Sequence, residues 1–331
     1  MKFGPVPVAQ AAGAILAHSL KLPDQRLRKG LVLGPDHLAQ LRAAGVDQVT
    51  VAQLDPDDMH EDAAADHLAR ALLDGSEHLH LTQPFTGRVN LIADRAGVVV
   101  LDADRINAAN AVDPMLTVAT VAPYHQLQPG GMAATIKIIS YGVSVQAVQQ
   151  AAQQASGAIR LATPVYDTAS LILTDIPGSP GEKGLEAVAA RVKGLDMELT
   201  ETLHCPHDEH ALAQAIKNAR GDIVLILTAS ATSDAHDTAP QALRLAGGRV
   251  ERFGLPVDPG NLLFLGQIGD RPVIGLPNSA RSPVLHGADW VLARVACGVP
   301  VDSAAMAQMG VGGLLKEIPT RPQPRQPRQV K

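Results

Sequence analysis

The sequence predicts an α/β protein whose second half is a doubly wound parallel sheet, preceded by a small α/β unit and a β-rich region. Three observations carry this. Ile223-Val224-Leu225-Ile226-Leu227 is a wholly apolar run of strand length, as expected of a strand covered on both faces. Strand-like and helix-like segments alternate from residue 169 to residue 246. Between residues 76 and 142, by contrast, short apolar runs are separated by turn signals.

In chain order, residues 1–75 read as the small α/β region. The small side chains of Ala11-Ala12-Gly13-Ala14-Ile15-Leu16-Ala17 suit a packed helix and are too few to span a bilayer. Gly34-Pro35-Asp36 opens a helix that Gly45 ends, a strand follows over 46–51, and an acidic start (Asp57, Asp58, Glu61, Asp62) leads a helix to Leu73. Residues 76–160 form the β-rich middle, with strands around 90–93, 97–101, 116–119 and 134–139. A low-charge Ala/Gln/Val helix over 143–157 closes it, either facing a core or bridging domains. Residues 161–300 form the main domain, with strands at 169–173, 197–202 and 222–227 and helices at 184–192, 208–219 and 238–246. The last segment, 301–331, ends in a Pro-, Gln- and Arg-rich tail with almost nothing to bury.

Composition excludes several function classes. The 331 residues carry 28 Lys and Arg against 33 Asp and Glu, and only one Trp, three Tyr and four Phe, so neither a basic footprint nor a set of stacking platforms for nucleic acid is present. Two cysteines cannot build a disulfide framework and fit a reducing compartment, so a cytoplasmic protein with no membrane partner is expected. No Ser/His/Asp or Cys/His nucleophile set is recognisable by spacing.

Ligands of an open parallel sheet gather at the carboxyl ends of its strands. That rule selects three loops. The first contains Thr174, Asp175 and Ser179, and its amides could hold an anion; a solvated turn capped by Ser179 or Glu182 is the plainer alternative. The second contains Thr228, Ser230, Thr232, Ser233 and Asp237, with small side chains that admit close approach to the backbone. Asp237 before Thr238 and Pro240 is equally a helix N-cap. The third contains Pro277, Asn278, Ser279, Arg281 and Ser282, in which Arg281 suits phosphate or pairs on the surface. Arg88 and Lys137 in the middle region are further candidate cations. His204-Cys205-Pro206-His207-Asp208-Glu209-His210 crowds four potential zinc ligands, although the same residues also read as a polar turn before a helix.

Asp237-Thr238-Ala239-Pro240-Gln241-Ala242, Val257-Asp258-Pro259-Gly260 and Gly275-Leu276-Pro277 resemble the molybdopterin-binding domain of molybdopterin adenylyltransferases, molybdenum insertases and competence-damage-type proteins, over roughly residues 165–300. Phe85-Thr86-Gly87-Arg88-Val89-Asn90, Ala134-Thr135-Ile136-Lys137-Ile138-Ile139, Ala280-Arg281-Ser282-Pro283 and Gly287-Ala288-Asp289-Trp290 resemble more specifically the insertase-like half of bacterial two-part molybdenum-cofactor nucleotidyltransferase proteins. The chain departs from the family's pattern at two places: Thr228-Ala229-Ser230-Ala231 stands where paired glycines are usual, and Asn278 follows Leu276-Pro277 where glycine is usual. No Gly-rich segment followed by Arg and Lys stands elsewhere, which argues against cytidylyl or guanylyl transfer by this chain alone.

The resemblance implies a sheet of the molybdopterin-binding type and a role in molybdenum cofactor biosynthesis. Molybdopterin or its nucleotide adduct would be the ligand, with magnesium as the accompanying ion. Ser and Thr hydroxyls of 228–233 would meet phosphate, Asp237 and Asp175 would place the cation as the catalytic pair, and Arg281 would balance charge. Activity, if any, would be insertase-like. The alternative is a non-catalytic carrier that hands the pterin to a separate nucleotidyltransferase or molybdoenzyme. A homodimer is expected from the same resemblance.

Overall fold

The computed structural model describes residues 1–178 and 182–315. By contact the chain forms two compact units, one of residues 1–95 and 99–161, the other of residues 96–98 with the described residues from 162 onward. Among the described residues no helix is long and apolar enough to cross a membrane. Ser179 and the tail after residue 315 lie outside the described residues.

In the first unit, Leu116–Thr120, Met132–Ile138, Arg88–Ala93 and Leu79–Leu81 pair antiparallel in that order. Alternation buries Val89, Leu91, Ala93, Ile136 and Ile138 on one face. Against them packs the helix Glu61–Leu72, whose Ala65, Leu68, Ala69 and Leu72 recur at helical spacing. The Ala/Gln/Val helix, Val145–Ala155, buries Val148, Ala151, Ala152 and Ala155 in this same core, so it is a core-facing helix.

Two elements of this unit differ from expectation. Residues 11–17 are not helical: Gly13 takes φ +75° in a turn, and Ile15–Leu16 is a short strand beside Gln48–Gln53. The glycine adopts a left-handed conformation that ends any helix at that point. The helix Ala103–Asn110 follows a capping Asp102 that accepts from the Arg105 N–H at 3.1 Å, where the sequence showed no apolar stripe strong enough to announce it.

The second unit is built on a six-stranded sheet. Its strands are β1 (Thr168–Asp175), β2 (Glu198–Pro206), β3 (Ile223–Leu227), β4 (Arg249–Phe253), β5 (Phe264–Ile268) and β6 (Arg271–Leu276), in spatial order β2-β1-β3-β6-β5-β4. The helices are α1 (Leu185–Lys193), α2 (Glu209–Asn218), α3 (Thr238–Leu245) and α4 (Gly287–Ala296). All five side chains of β3 are fully buried. Ile172, Val224, Ile226 and Val273 face Leu212 and Ile216 of α2 and Leu243 of α3. Leu171, Leu173, Leu225 and Ile274, which alternate with them, are buried on the other face, and α1 and α4 are tied together by the Arg191–Asp289 ion pair at 2.7 Å. Burying each such aliphatic side chain contributes about 1.5–3 kcal/mol, which is why the unbroken apolar runs become the middle of the sheet.

The sheet is only partly parallel. β2, β1, β3 and β6 run parallel, whereas at one edge β5 pairs antiparallel with both β6 and β4. The two residues Gly269 and Asp270 that join β5 to β6 can close a hairpin but cannot carry a crossover, so β5 must reverse. At the end of the hairpin away from that turn Phe264 lies opposite Gly275, and a Cβ on Gly275 would fall 1.9 Å from the ring, so the glycine is the seat of the aromatic side chain.

Candidate functional site

The four parallel strands end together at Asp175, Pro206, Leu227 and Leu276, and the chain leaves each end toward a helix. Three of those helices start on a capping side chain. Asp208 accepts from the His210 and Ala211 N–H groups at 3.0 Å each, Asp237 from Thr238 at 2.7 Å, and His286 Nδ1 from Ala288 at 3.0 Å. Polar side chains therefore stand at the strand ends as a consequence of how the helices begin.

Thr174 and Thr228, at the ends of β1 and β3, are 3% and 2% exposed. Thr174 Oγ1 accepts from the Ala229 N–H at 2.9 Å and lies 2.9 Å from His207 Nδ1. Thr228 donates its hydroxyl to the Ser230 carbonyl at 2.5 Å and lies 3.5 Å from Thr232 Oγ1. The Thr228 carbonyl accepts from Arg281 Nη2 at 3.0 Å. Asn278, with its amide turned to satisfy both neighbours, donates to that same carbonyl at 3.0 Å and accepts from the Ala231 N–H at 3.1 Å. Arg281 also donates from Nη1 to the Lys183 carbonyl, so one guanidinium joins all three loops.

Arg281 is partly buried, which pushes its guanidinium down from the ordinary value, and its Nε is buried with no partner among the described residues. The bonds to Lys183 and Thr228 use one N–H of each Nη, so the partly buried guanidinium has donors left for an anion. Its stem crosses Gly184, where a Cβ would fall within 2.7–2.8 Å of the Arg281 Cα, Cβ and Cγ and where φ is +99°. Only glycine meets both conditions.

Asp237 accepts from the Ser233 N–H at 2.9 Å and from the Ser233 hydroxyl at 3.3 Å in addition to Thr238. Burial pushes its carboxyl up, but the Ser233 and Thr238 amides, the Ser233 hydroxyl and the nearby His207 outweigh it and hold the pKa below 3.8. These bonds leave little of the carboxylate free, so Asp237 could give a magnesium ion one oxygen, with ligand oxygens and water supplying the rest. Asp175 turns instead to His204, whose Nδ1 is 3.4 Å from its carboxylate. Among the described residues no hydrogen bond or ion pair joins Asp175 to Asp237.

The remaining predicted residues divide. Ser230 and Ser233 are exposed and Thr232 is buried. Ser279 is taken up by His286: because His286 Nδ1 accepts from Ala288, its Nε2 carries the proton and donates to Ser279 Oγ at 2.7 Å. Ser282 Oγ accepts from the Val284 N–H at 3.4 Å, and Pro277 precedes the short 3-10 turn Asn278–Arg281. In the first unit Arg88 donates to Thr135 Oγ1 at 3.0 Å, and Lys137 donates to the Thr86 carbonyl at 2.5 Å and lies 3.5 Å from Glu61.

The His204–His210 segment does not close on a common point. Strand alternation leaves His204 exposed and Cys205 buried, His207 turns to Thr174, and His210 follows the cap at Asp208. Among the described residues no group of three or more His, Cys, Asp or Glu side chains is placed to hold a metal ion. Burial, with Asp175 and Asp208 nearby, pushes the Cys205 thiol up to about 11.

Two residues of the site were not read into it from the sequence. His207, read only as a potential zinc ligand, stands just past β2, a strand end to which the loop rule applies as well as to the other three. Arg191 occupies a position of α1 whose neighbours Ala187, Val188 and Val192 form the buried face, so a charged residue there signals a buried, bonded guanidinium.

The fold and this site define an α/β protein with a polar, cation-bearing cluster at the carboxyl ends of parallel strands. A family described as a domain of unknown function (DUF8806) matches residues 5–53. No curated protein matches the chain. Among solved structures, the chain is similar to a molybdopterin biosynthesis MoeA protein from Pyrococcus horikosii, with 15% identity, a TM-score of 0.32, and coverage of 93% of this chain and 77% of that one. It is similar to a molybdenum cofactor biosynthesis protein from Pyrococcus furiosus, with 13% identity, a TM-score of 0.23 and coverage of 85% and 59%, so it spans about three fifths of that protein's length. It is also similar to the protein CinA, with unknown function, from Thermoplasma acidophilum, with 15% identity, a TM-score of 0.27 and coverage of 35% and 90%. At these scores the likenesses carry no statement about function.

Proposed function

We propose that this protein binds molybdopterin, or its nucleotide adduct, at the carboxyl ends of β1, β3 and β6 and serves molybdenum cofactor biosynthesis. The observation that carries the reading is the junction at Thr228, where Arg281 and Asn278 from one loop grip the carbonyl of another beside the partly buried Arg281 guanidinium. A rigid polar cluster with an unmatched cationic donor suits an anionic ligand. The pterin as that ligand comes from the sequence resemblance over residues 165–300.

In this reading Arg281 holds the phosphate end, Ser230 and Ser233 offer exposed hydroxyls, and Asp237 contributes one oxygen to a magnesium ion that the ligand phosphates complete. Magnesium, when bound, would neutralise phosphate charge. Insertase-like activity would then rest on orientation, with no dedicated nucleophile. Homodimer formation and delivery to a molybdoenzyme belong to the same proposal.

One observation favours a carrier over an enzyme that turns over nucleotide. The amides of Ala229, Ala231 and Ser233 are occupied by Thr174, Asn278 and Asp237, so a good part of the backbone that a polyphosphate would use is already bonded. Incubation with adenylylated molybdopterin, molybdate and magnesium separates the two readings. AMP release dependent on Arg281 is the insertase outcome, tight binding without release is the carrier outcome, and neither binding nor release contradicts both.

A further inference from the structure

We infer that Arg191 is the positioning residue of this site: it fixes the backbone on both sides of Arg281 and thereby sets where the Arg281 guanidinium meets an anion. The inference rests on the strand-end ligand reading above. Arg191 is 9% exposed and lies in the last turn of α1. Its Nε donates to Asp289 Oδ1 at 2.7 Å. Nη1 donates to the carbonyls of Ala187 at 3.2 Å and Ala280 at 2.8 Å, and Nη2 donates to those of Ser282 at 2.8 Å and Val284 at 3.1 Å.

A guanidinium has five N–H donors, and all five are used here. The placement of three of them matters most. The Ala280 carbonyl belongs to the peptide group immediately before Arg281 and the Ser282 carbonyl to the second peptide group after it, so backbone on both sides of Arg281 is bonded to one rigid planar fork. Val284 extends the hold along the loop toward α4, and Asp289 on α4 neutralises the charge. Two turns earlier on the same helix, Gly184 at the N-cap of α1 receives the Arg281 stem. Helix α1 thus grips Arg281 from its side chain and from its flanking backbone, with no loop of its own between the two grips.

Charge alone does not accomplish this. A lysine at 191 would keep the pairing with Asp289 but, as a single ammonium, could not reach carbonyls on both sides of Arg281. Asp289 also has a buried Oδ2 without a partner among the described residues, and burial pushes its carboxyl up against the opposing pull of Arg191. The pair is therefore better removed together than singly when fold and position are to be separated.

The test uses the full chain in four forms besides wild type: Arg191→Lys, Arg191→Met combined with Asp289→Leu, Arg281→Met, and Arg191→Lys combined with Arg281→Met. Amide hydrogen exchange is read first, without ligand. Both Arg191 forms are expected to speed exchange in 278–285 at least tenfold while leaving the β3 amides at their wild-type rates. Anaerobic titration with molybdopterin is read second. Arg191→Lys is expected to lose at least tenfold in affinity, and the combination with Arg281→Met to lose no more than Arg281→Met alone, because the two residues act through one guanidinium. Unchanged exchange in 278–285 overturns the inference. So does a loosened loop with unchanged affinity, or a loss that multiplies with that of Arg281→Met, because Arg191 would then act apart from Arg281. If wild type binds no molybdopterin, the pterin reading falls, and the exchange data still decide whether Arg191 holds the backbone around Arg281.

Discussion

The Arg281 guanidinium and the Thr228 carbonyl meet at 3.0 Å, a hydrogen bond that helps couple the loop after β6 to the loop after β3. Asn278 reaches the same carbonyl from the other end of the 3-10 turn and accepts from the Ala231 N–H, so the oxygen accepts two donors and the stretch from Thr228 to Ala231 is held at both ends. A residue other than glycine at 278 is thereby put to use: its side chain supplies bonds that a glycine could not make.

Arg281→Met removes the guanidinium's bonds to the Lys183 and Thr228 carbonyls and leaves the Asn278 bonds in place. Losing hydrogen bonds from a charged donor of this kind costs about 1.5–3 kcal/mol, and urea denaturation of the variant should show a loss in that range. Arg281→Lys should fare little better in ligand affinity, since an ammonium cannot bridge the Lys183 and Thr228 carbonyls and still face an anion.

Asp237 separates two roles by substitution. Asp237→Ala removes the cap of α3 and should cost about 1 kcal/mol in chemical denaturation. Asp237→Asn keeps an acceptor for only one of the Ser233 and Thr238 amides, which bond to different oxygens of the carboxylate, and should retain part of that stability, while any magnesium dependence of pterin binding is lost in both variants. Magnesium dependence that survives in Asp237→Asn removes this residue from the cation site.

The same carboxylate gives a pH signature. Because its folded pKa lies below 3.8, its contribution to stability is complete above that value and is lost as pH falls through the folded value. Wild type should therefore lose more stability than Asp237→Asn as pH falls through and below 3.8, measured by urea denaturation at a series of pH values.

Gly184→Ala tests the seat of the Arg281 stem. The new methyl group would meet Arg281 at 2.7–2.8 Å in a backbone conformation of φ +99°. A loss of about 1–3 kcal/mol is expected from the backbone strain alone, and ligand affinity should fall with it as Arg281 is displaced. Wild-type stability in this variant would mean that α1 begins elsewhere.

The two cysteines should be inert in the folded protein. Burial pushes both thiols up to about 11, with Asp175 and Asp208 adding to the effect at Cys205. Iodoacetamide at pH 8 should label neither in native protein and both in urea, read by mass spectrometry. Rapid native labelling of Cys205 would contradict its burial in the core beside α2.

The strands of the second unit were legible because a sheet buried on both faces writes its interior as unbroken apolar runs, and 223–227 is the clearest of them. The antiparallel edge was not. Arg249-Val250-Glu251-Arg252-Phe253 is half exposed and carries no such run, and the Gly269-Asp270 turn that reverses β5 lies between strands rather than in one. Residues 11–17 showed a helical composition that a single left-handed glycine overrides.

The candidate site was legible to the extent that topology governs it. Thr174, Thr228, Asn278 and Arg281 follow from where parallel strands end, and the structure joins them by hydrogen bonds. The directions of Ser279 and Ser282 do not follow from that rule, because His286 and the backbone of the loop itself take them up. Arg191 was hidden for a different reason: it lies 90 residues from the loop it grips, and only the folded α1 brings it there.

The most direct test of the central claim is anaerobic isothermal titration of the purified full chain with molybdopterin, in parallel with Arg281→Met. The account predicts saturable binding by wild type, strengthened by magnesium, and at least a tenfold loss of affinity in the variant. Absence of binding by wild type, or equal binding by both proteins, would contradict it.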